Sequence, residues 1–269
     1  MPSVAYQGHA GAFSDVAARD LVPGAETHGY PSFDAVAAAV DAGDEDYGVL
    51  PVENAIAGSI PRNYELLWER PELRVRAEAV LRIELCLIGV DGASVESIEE
   101  IRSHPVALEQ VRRYADAQRG WKKTTTTDTA GAVREVVALG DPSVAAIGPA
   151  LAAEIHGGTV IERGVQDEAE NYTRFFLIAR GERRAGAVGD ARRDRACVGI
   201  RVEDRPGSLR DALASFADNG IDLRFLIARP DRREAFRYRF FVELANADDA
   251  RLDAALAAIG GEQRVLGRY

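Results

Sequence analysis

The 269-residue chain is 46% hydrophobic and 28% charged, ordinary values for a soluble globular protein, and at roughly 100–200 residues per domain it has room for a catalytic domain and one small addition. A formal net charge of −10 excludes a nucleic-acid binder built on a basic patch. No apolar run approaches the roughly 18 residues that span a bilayer, so neither nucleic acid nor membrane is an expected partner.

Met1 to Tyr6 enters a strand-like run without a basic segment followed by an apolar stretch, so no secretory signal is read and a cytoplasmic protein is expected. Cys86 and Cys197 lie far apart and suit reduced thiols. His9, His28, His104 and His156 form no ligand-spaced pair with each other or with cysteine, so no metal is expected. Every basic residue except Lys122 and Lys123 is arginine.

Residues 4–8 read as a short buried strand, and Gly8-His9-Ala10-Gly11 turns into an alanine-rich helix starting near Ser14. A helix at 32–42, a strand at 47–52 and a helix near Ser59 with Pro61 in its first turn follow, proline being tolerated there. Strands are expected at 74–90, helices after Ser103-His104-Pro105 and after Asp128-Thr129, a strand at 144–148 and a helix at 149–156. This alternation predicts an α/β architecture with mainly parallel sheets. Residues 181–195, rich in glycine and charge without apolar period, read as a linker. Beyond it, a strand (197–203), a helix (207–218), two strands (222–229, 236–244), a helix (248–258) and a last strand (263–267) give the order βαββαβ of a ferredoxin-like module.

Four segments resemble the motifs of prephenate dehydratases, in the same order and at comparable spacing. They are Tyr6-Gln7-Gly8-His9-Ala10-Gly11-Ala12-Phe13-Ser14, Leu50-Pro51-Val52-Glu53-Asn54-Ala55-Ile56-Ala57-Gly58-Ser59-Ile60, Ser103-His104-Pro105-Val106-Ala107-Leu108-Glu109-Gln110 and Asn171-Tyr172-Thr173-Arg174-Phe175. The second is close to that family's Pro-x-Glu-Asn-Ser/Thr-x-x-Gly pattern, and the fourth holds its Thr-Arg-Phe signature. Asp204-Arg205-Pro206-Gly207-Ser208-Leu209 is similar to the Arg-Pro-Gly-Ala-Leu loop of the ACT domains attached to these enzymes. The resemblance implies a catalytic domain at 1–180 whose two α/β lobes, 1–76 with 163–180 and 77–162, are built like a type 2 periplasmic binding protein. An ACT domain at 196–269 would follow the linker. Ala55 departs from the pattern where the family has Ser or Thr, and Val106 where it commonly has Gln.

The implied substrate, prephenate, is a dianion whose ring becomes aromatic as water and carbon dioxide leave. Such a downhill reaction needs both carboxylates held and a proton offered to the departing hydroxyl, not a strong base, a metal or an organic cofactor, so no cofactor is expected. The resemblance assigns the proton to Thr173, with Asn54, Ser103, Gln110 and Asn171 as polar partners. Ser14, Ser59, Ser103 and Thr129 stand at or near expected helix starts, where backbone N–H groups attract carboxylates without lysine. Each of Ser14 and Ser59 is open between a cap and a substrate contact. Glu53 either orients Asn54 and nearby loops or is a solvated charge. Arg174 either binds a carboxylate or, since strand alternation sets it opposite Thr173, forms a structural ion pair. Phe175 completes the expected substrate-contacting set.

In the family, phenylalanine binds between the ACT domains of two subunits, which implies Gly207, Ser208, Leu209, Arg229 and Pro230 as effector contacts, L-phenylalanine as inhibitor, and a homodimer or homotetramer. Ile227-Ala228-Arg229-Pro230 lacks the Glu and Ser of the family's Glu-Ser-Arg-Pro motif. The rival readings are an arogenate dehydratase on the same scaffold, a non-catalytic two-lobed binding protein and, more remotely, a prephenate decarboxylase that keeps the hydroxyl.

Overall fold

The computed structural model describes residues 1–118, 120–181, 194–231 and 233–269. In chain order the first part holds β1 (Ser3–Gln7), α1 (Phe13–Leu21), β2 (Glu26–Tyr30), α2 (Phe33–Ala42), β3 (Tyr47–Asn54), β4 (Gly58–Ser59), α3 (Pro61–Glu69) and β5 (Leu73–Arg82). The middle part holds β6 (Cys86–Gly89), β7 (Glu100–Ser103), α4 (Pro105–Gln110), α5 (Arg112–Ala117), β8 (Lys122–Thr125), α6 (Thr129–Leu139), β9 (Val144–Gly148), α7 (Ala150–His156) and β10 (Thr159–Arg163), and β11 (Tyr172–Arg180) returns to the first. The last part runs β12 (Arg195–Arg201), α8 (Ser208–Asp218), β13 (Asp222–Pro230), β14 (Tyr238–Ala245), α9 (Asp249–Ala258) and β15 (Glu262–Arg268), a βαββαβ order.

Local chemistry explains the element ends. The Ser32 hydroxyl accepts from the Ala35 N–H and opens α2, Asp128 does the same for Gly131 at the head of α6, and Gly43 and Gly140 close those helices in the left-handed region. Helices cover both faces of β3 and β9, which is why Tyr47–Val52 and Val144–Gly148 are buried at every position.

The first lobe's sheet has the order β2-β1-β3-β11-β5 and the second β10-β6-β9-β7-β8. Both are mixed, which corrects the expectation of mainly parallel sheets. β1 is parallel to β2 and β3, and β7 to β8 and β9, but β11 runs antiparallel to both β3 and β5, and β6 antiparallel to β9 and β10. The chain leaves the first lobe along β5 and re-enters along β11, and strands carrying a chain out and back must run in opposite directions. The expected lobe boundary at residue 76 falls inside β5, whose register with β11 continues from Ala77↔Leu177 to Arg82↔Tyr172. Residues 77–82 therefore belong to the first lobe's sheet. The two crossing segments meet through Ile83 N–H to Asn171 O at 2.8 Å and Val165 N–H to Leu85 O at 2.9 Å. Of the expected linker, 182–193 lie outside the described residues, and Arg195 already belongs to β12.

The parallel strands of the two lobes point their carboxyl ends at each other, the usual place for a ligand in such sheets. His9, in the loop after β1, places Nδ1 2.6 Å from Asp128 Oδ2 at the head of α6, and His156 Nε2 donates to Ala10 O at 2.9 Å. Gly11, at φ +87°, lies so near α7 that a Cβ there would come within 2.5 Å of Ala152 Cα.

The C-terminal sheet, β13-β14-β12-β15, joins β5 at one rung, Gly267↔Val75. Tyr64, Trp68 and Phe176 of the first lobe share one core with Cys197, Phe241 and Tyr269. Tyr64 stacks on Phe225 at 5.2 Å, and Trp68 meets Phe241 edge-on at 6.3 Å. Gly199 is needed for this docking, since a Cβ would stand 2.4 Å from the Trp68 ring. Cys86 and Cys197 are both buried and unpaired. No helix among the described residues is long and apolar enough to cross a membrane.

Replacing Gly11 by alanine should destabilise the protein more than replacing Gly43, which has φ +84° but open space beside it. Gly43→Ala should cost about 1 kcal/mol, from backbone strain alone. Gly11→Ala should cost about 2–3 kcal/mol, because the added methyl also pushes the lobes apart; urea denaturation of the two variants checks this.

Candidate active site

β3 and β11 bring Asn54 and Thr173 face to face, with Thr173↔Asn54 as one rung and Arg174↔Glu53 as the next. The turn after β3 fixes the Asn54 carboxamide: its Oδ1 accepts from Ile56 N–H at 3.0 Å and Ala57 N–H at 2.8 Å. The oxygen being so committed, Nδ2 must face the other way. It donates to Asn171 Oδ1 at 2.8 Å and Thr173 Oγ1 at 2.9 Å, with Tyr172 O at 3.2 Å. Asn171 Nδ2 in turn donates to Gln110 Oε1 at 3.1 Å, at the end of α4 in the second lobe. The relay Gln110–Asn171–Asn54–Thr173 thus spans both lobes. Because the Thr173 hydroxyl accepts from Asn54, its own proton is directed away from Asn54 and is available to another acceptor. Asn171 is fully buried and Thr173 is 8% exposed, so these bonds form where water competes little.

Beside the relay a cavity of about 290 Å³ is lined by Ile56 of the first lobe and by Glu109, Gln110, Arg112 and Arg113 of the second, with Gln166, Asp167 and Glu168 of the returning segment. Its size is at the lower end of small-molecule sites, roughly 300–1,000 Å³. It meets the relay at Gln110.

Several expected site residues stand elsewhere. Glu53 and Arg174 face away from the relay: Arg174 Nη1 donates to Glu53 Oε2 at 2.8 Å, and its Nη2 reaches Glu78 at 3.3 Å and Glu243 of β14. Period-two alternation decides this, so both engage in ion pairs on the face opposite Thr173. Phe175 is 2% exposed in the core with Val4, Ala17 and Leu177. Ser14, Ser59, Ser103 and Thr129 each lie within two residues of a helix N-cap, as expected, though none is the cap itself. The N-cap residues of α1, α3, α4 and α6 are Ala12, Ile60, His104 and Asp128. Ser14 is the second residue of α1, Ser59 pairs in β4 with Glu53, and Thr129 is the first residue of α6. Ser103, fully buried, donates its hydroxyl to Ile147 O at 2.6 Å. No side chain caps α1 or α3, while the Asp128 carboxylate occupies the head of α6 and makes it a poor anion site.

The prephenate dehydratase family model matches residues 4–183, and the ACT domain model matches 198–261. The chain belongs to the prephenate dehydratase family. Among curated relatives, the chloroplastic arogenate dehydratase/prephenate dehydratase 2 of Arabidopsis thaliana is 34% identical over 99% of this chain and 72% of its own length. A bifunctional N-acyl-homoserine lactone acylase/prephenate dehydratase of Komagataeibacter europaeus is 32% identical over 99% of this chain and 95% of its own. The crystal structure of prephenate dehydratase from Arthrobacter aurescens in complex with L-Phe superposes with a TM-score of 0.87 at 27% identity, covering 99% of this chain and 89% of that one.

In the ACT domain of this prephenate dehydratase family member, Gly207 caps α8 at φ +85°, and Ser208 and Leu209 line a cavity of about 400 Å³ with Val202, Asp204, Phe236 and Tyr238. Arg229 and Pro230 are not on its wall. Arg229 donates to Glu65 of α3 at 2.6 Å, and Pro230 pairs with Tyr238 on the outer strand. Within one chain the five expected effector residues therefore form two groups. Sequence reading missed the His9–Asp128 and His156–Ala10 contacts between the lobes. Asp128 three residues before Gly131 was the available signal for a cap, whereas the histidine partners lie more than a hundred residues away.

Asn54→Asp should lower kcat at least as much as Asn54→Ala. Alanine removes the donor to Thr173 and the acceptor of the turn; aspartate keeps the acceptor but sets a second oxygen opposite Asn171 Oδ1 and turns the Thr173 proton toward itself. A fall of about tenfold for alanine and a hundredfold for aspartate is expected from steady-state kinetics.

Proposed function

We propose that this chain removes water and carbon dioxide together from a hydroxycyclohexadiene carboxylate, taking arogenate as well as prephenate. The Asn54–Thr173 hydrogen bond carries the reading, because it holds one neutral hydroxyl with its proton free to follow the departing oxygen. Thr173 is a weak acid, so its contribution is geometric: the proton moves as the C–O bond breaks, while loss of carbon dioxide supplies the electrons that complete the aromatic ring. Both substrates carry that ring hydroxyl and ring carboxylate and differ only in a keto or amino group on the side chain. The names of the curated relatives, several of which pair the two activities, support a broader substrate range than prephenate alone. Anion binding falls to the Phe13 and Ser14 amides in the first turn of α1, with the Ser14 hydroxyl beside them. With Thr173 8% exposed, its hydroxyl receives substrate when the lobes part, which breaks the His9–Asp128 contact.

The ACT domain's cavity at Ser208 and Leu209 supports an amino-acid effector, L-phenylalanine, which lowers activity. The outer edge of β13, with Leu223 and Leu226 exposed, supports assembly into a homodimer or homotetramer.

Incubation with prephenate, followed by phenylpyruvate absorbance in alkali, and with arogenate, followed by phenylalanine formation, tests the proposal. Turnover of both is expected. Thr173→Ala should lose about a hundredfold or more in kcat on each substrate, and Thr173→Ser should keep most of it. A near-native rate in Thr173→Ala would move the proton donor to another group.

A further inference from the structure

Five charged groups collect on the back of the catalytic strands. Arg174 is bonded to Glu53, Glu78 and Glu243, and Arg195 of β12 also reaches Glu78. Glu243, whose side chain is 3% exposed, comes from β14 of the ACT domain and also accepts from the Tyr64 hydroxyl. Burial pushes the Glu243 carboxyl up, with Arg174 and Tyr64 opposing, so this acid depends on its partners for its charge. The same two strand positions thus have two faces. Asn54 and Thr173 meet on the front, and Glu53 and Arg174, one residue along each strand, meet on the back.

The ladder between β3 and β11 does not set this local register alone. It slips between Arg174 and Phe175, where Arg174 pairs with Glu53 but Phe175 with Pro51, leaving an extra residue in β3. Beyond the bulge, β11 is held by its ladder to β5, unbroken from Tyr172 to Leu177, and by the Ala55 N–H to Tyr172 O bond, and a side-chain clamp adds to these. The Glu53–Arg174 pair supplies it, and Glu243 anchors Arg174 from the neighbouring domain. Resting on the proposed dehydratase reading, we infer that Glu243 is a positioning residue for the Asn54–Thr173 pair, acting across the domain boundary through Arg174. Any displacement of β14 then reaches the catalytic hydroxyl over two side chains.

The test uses the full-length chain with Glu243→Gln, which keeps shape and removes charge, and Glu53→Gln, on a more exposed partner that leaves the domain core untouched. Glu65→Gln is the control, since it weakens a different ion pair between the domains, Arg229–Glu65 at 2.6 Å, away from these rungs. Both test variants should lower kcat about tenfold or more with KM within about twofold, and the control should match the native chain. The Thr173 methyl resonance in isotope-labelled protein should shift in the two test variants and not in the control, a readout that holds whether or not the native chain turns over either substrate. Folded Glu243→Gln with native kcat and an unmoved methyl signal overturns the inference. So does an equal loss in Glu65→Gln, which would mean general loosening of the domains. If Glu243→Gln does not fold, Glu53→Gln decides by the same two measurements.

Discussion

One carboxamide organises the site. Asn54 is held on its oxygen side by the backbone of its own turn, and on its nitrogen side it reaches both Asn171 and Thr173. Rotation of the amide would put an oxygen opposite acceptors and leave two backbone N–H groups without their partner, so a single orientation is enforced. The direction of every bond from Gln110 to Thr173 follows from it. A residue with no charge thereby fixes the polarity of a hydroxyl in a protein whose net charge is −10.

The relay in turn depends on how β11 is embedded. Between β3 and β5 it is the returning leg of the lobe crossing, and its first residues form the relay while the rest is core: Phe175 to Ala179 are buried without exception. The ACT domain adds a second constraint, because its sheet docks on the first lobe through a shared aromatic core around Tyr64, Trp68 and Phe241. Buried there, the Tyr64 phenol is pushed far up, by desolvation first and by the Glu243 charge next, and remains a neutral donor to that carboxylate. Packing and ion pairing therefore tie the ACT sheet to the strand that carries Thr173.

Elements buried on both faces, such as β3 and β9, were plain in their unbroken apolar runs. The edge strands were not. β2 (Glu-Thr-His-Gly-Tyr), β8 (Lys-Lys-Thr-Thr) and β10 (Thr-Val-Ile-Glu-Arg) carry polar residues because an edge is half solvated, and they show no alternation to read. The expectation of parallel sheets failed for a related reason: strand direction depends on where the chain re-enters a lobe, and no local pattern encodes that.

By itself the sequence determined the α/β class, the order of the buried elements and the motifs that place the chain in its family, and the resemblance named Asn54, Ser103, Gln110 and Asn171 as partners of Thr173, of which all but Ser103 join one hydrogen-bonded chain. These rest on local periodicity and on short strings, both of which survive in one dimension. Only the tertiary structure decided that Glu53 and Arg174 turn to the ACT domain, that Phe175 is core, that Ser103 bonds to Ile147, and that His9 and Asp128 join the lobes. Each outcome depends on contacts between residues tens to hundreds of positions apart, and there packing, not neighbouring sequence, selects the partner.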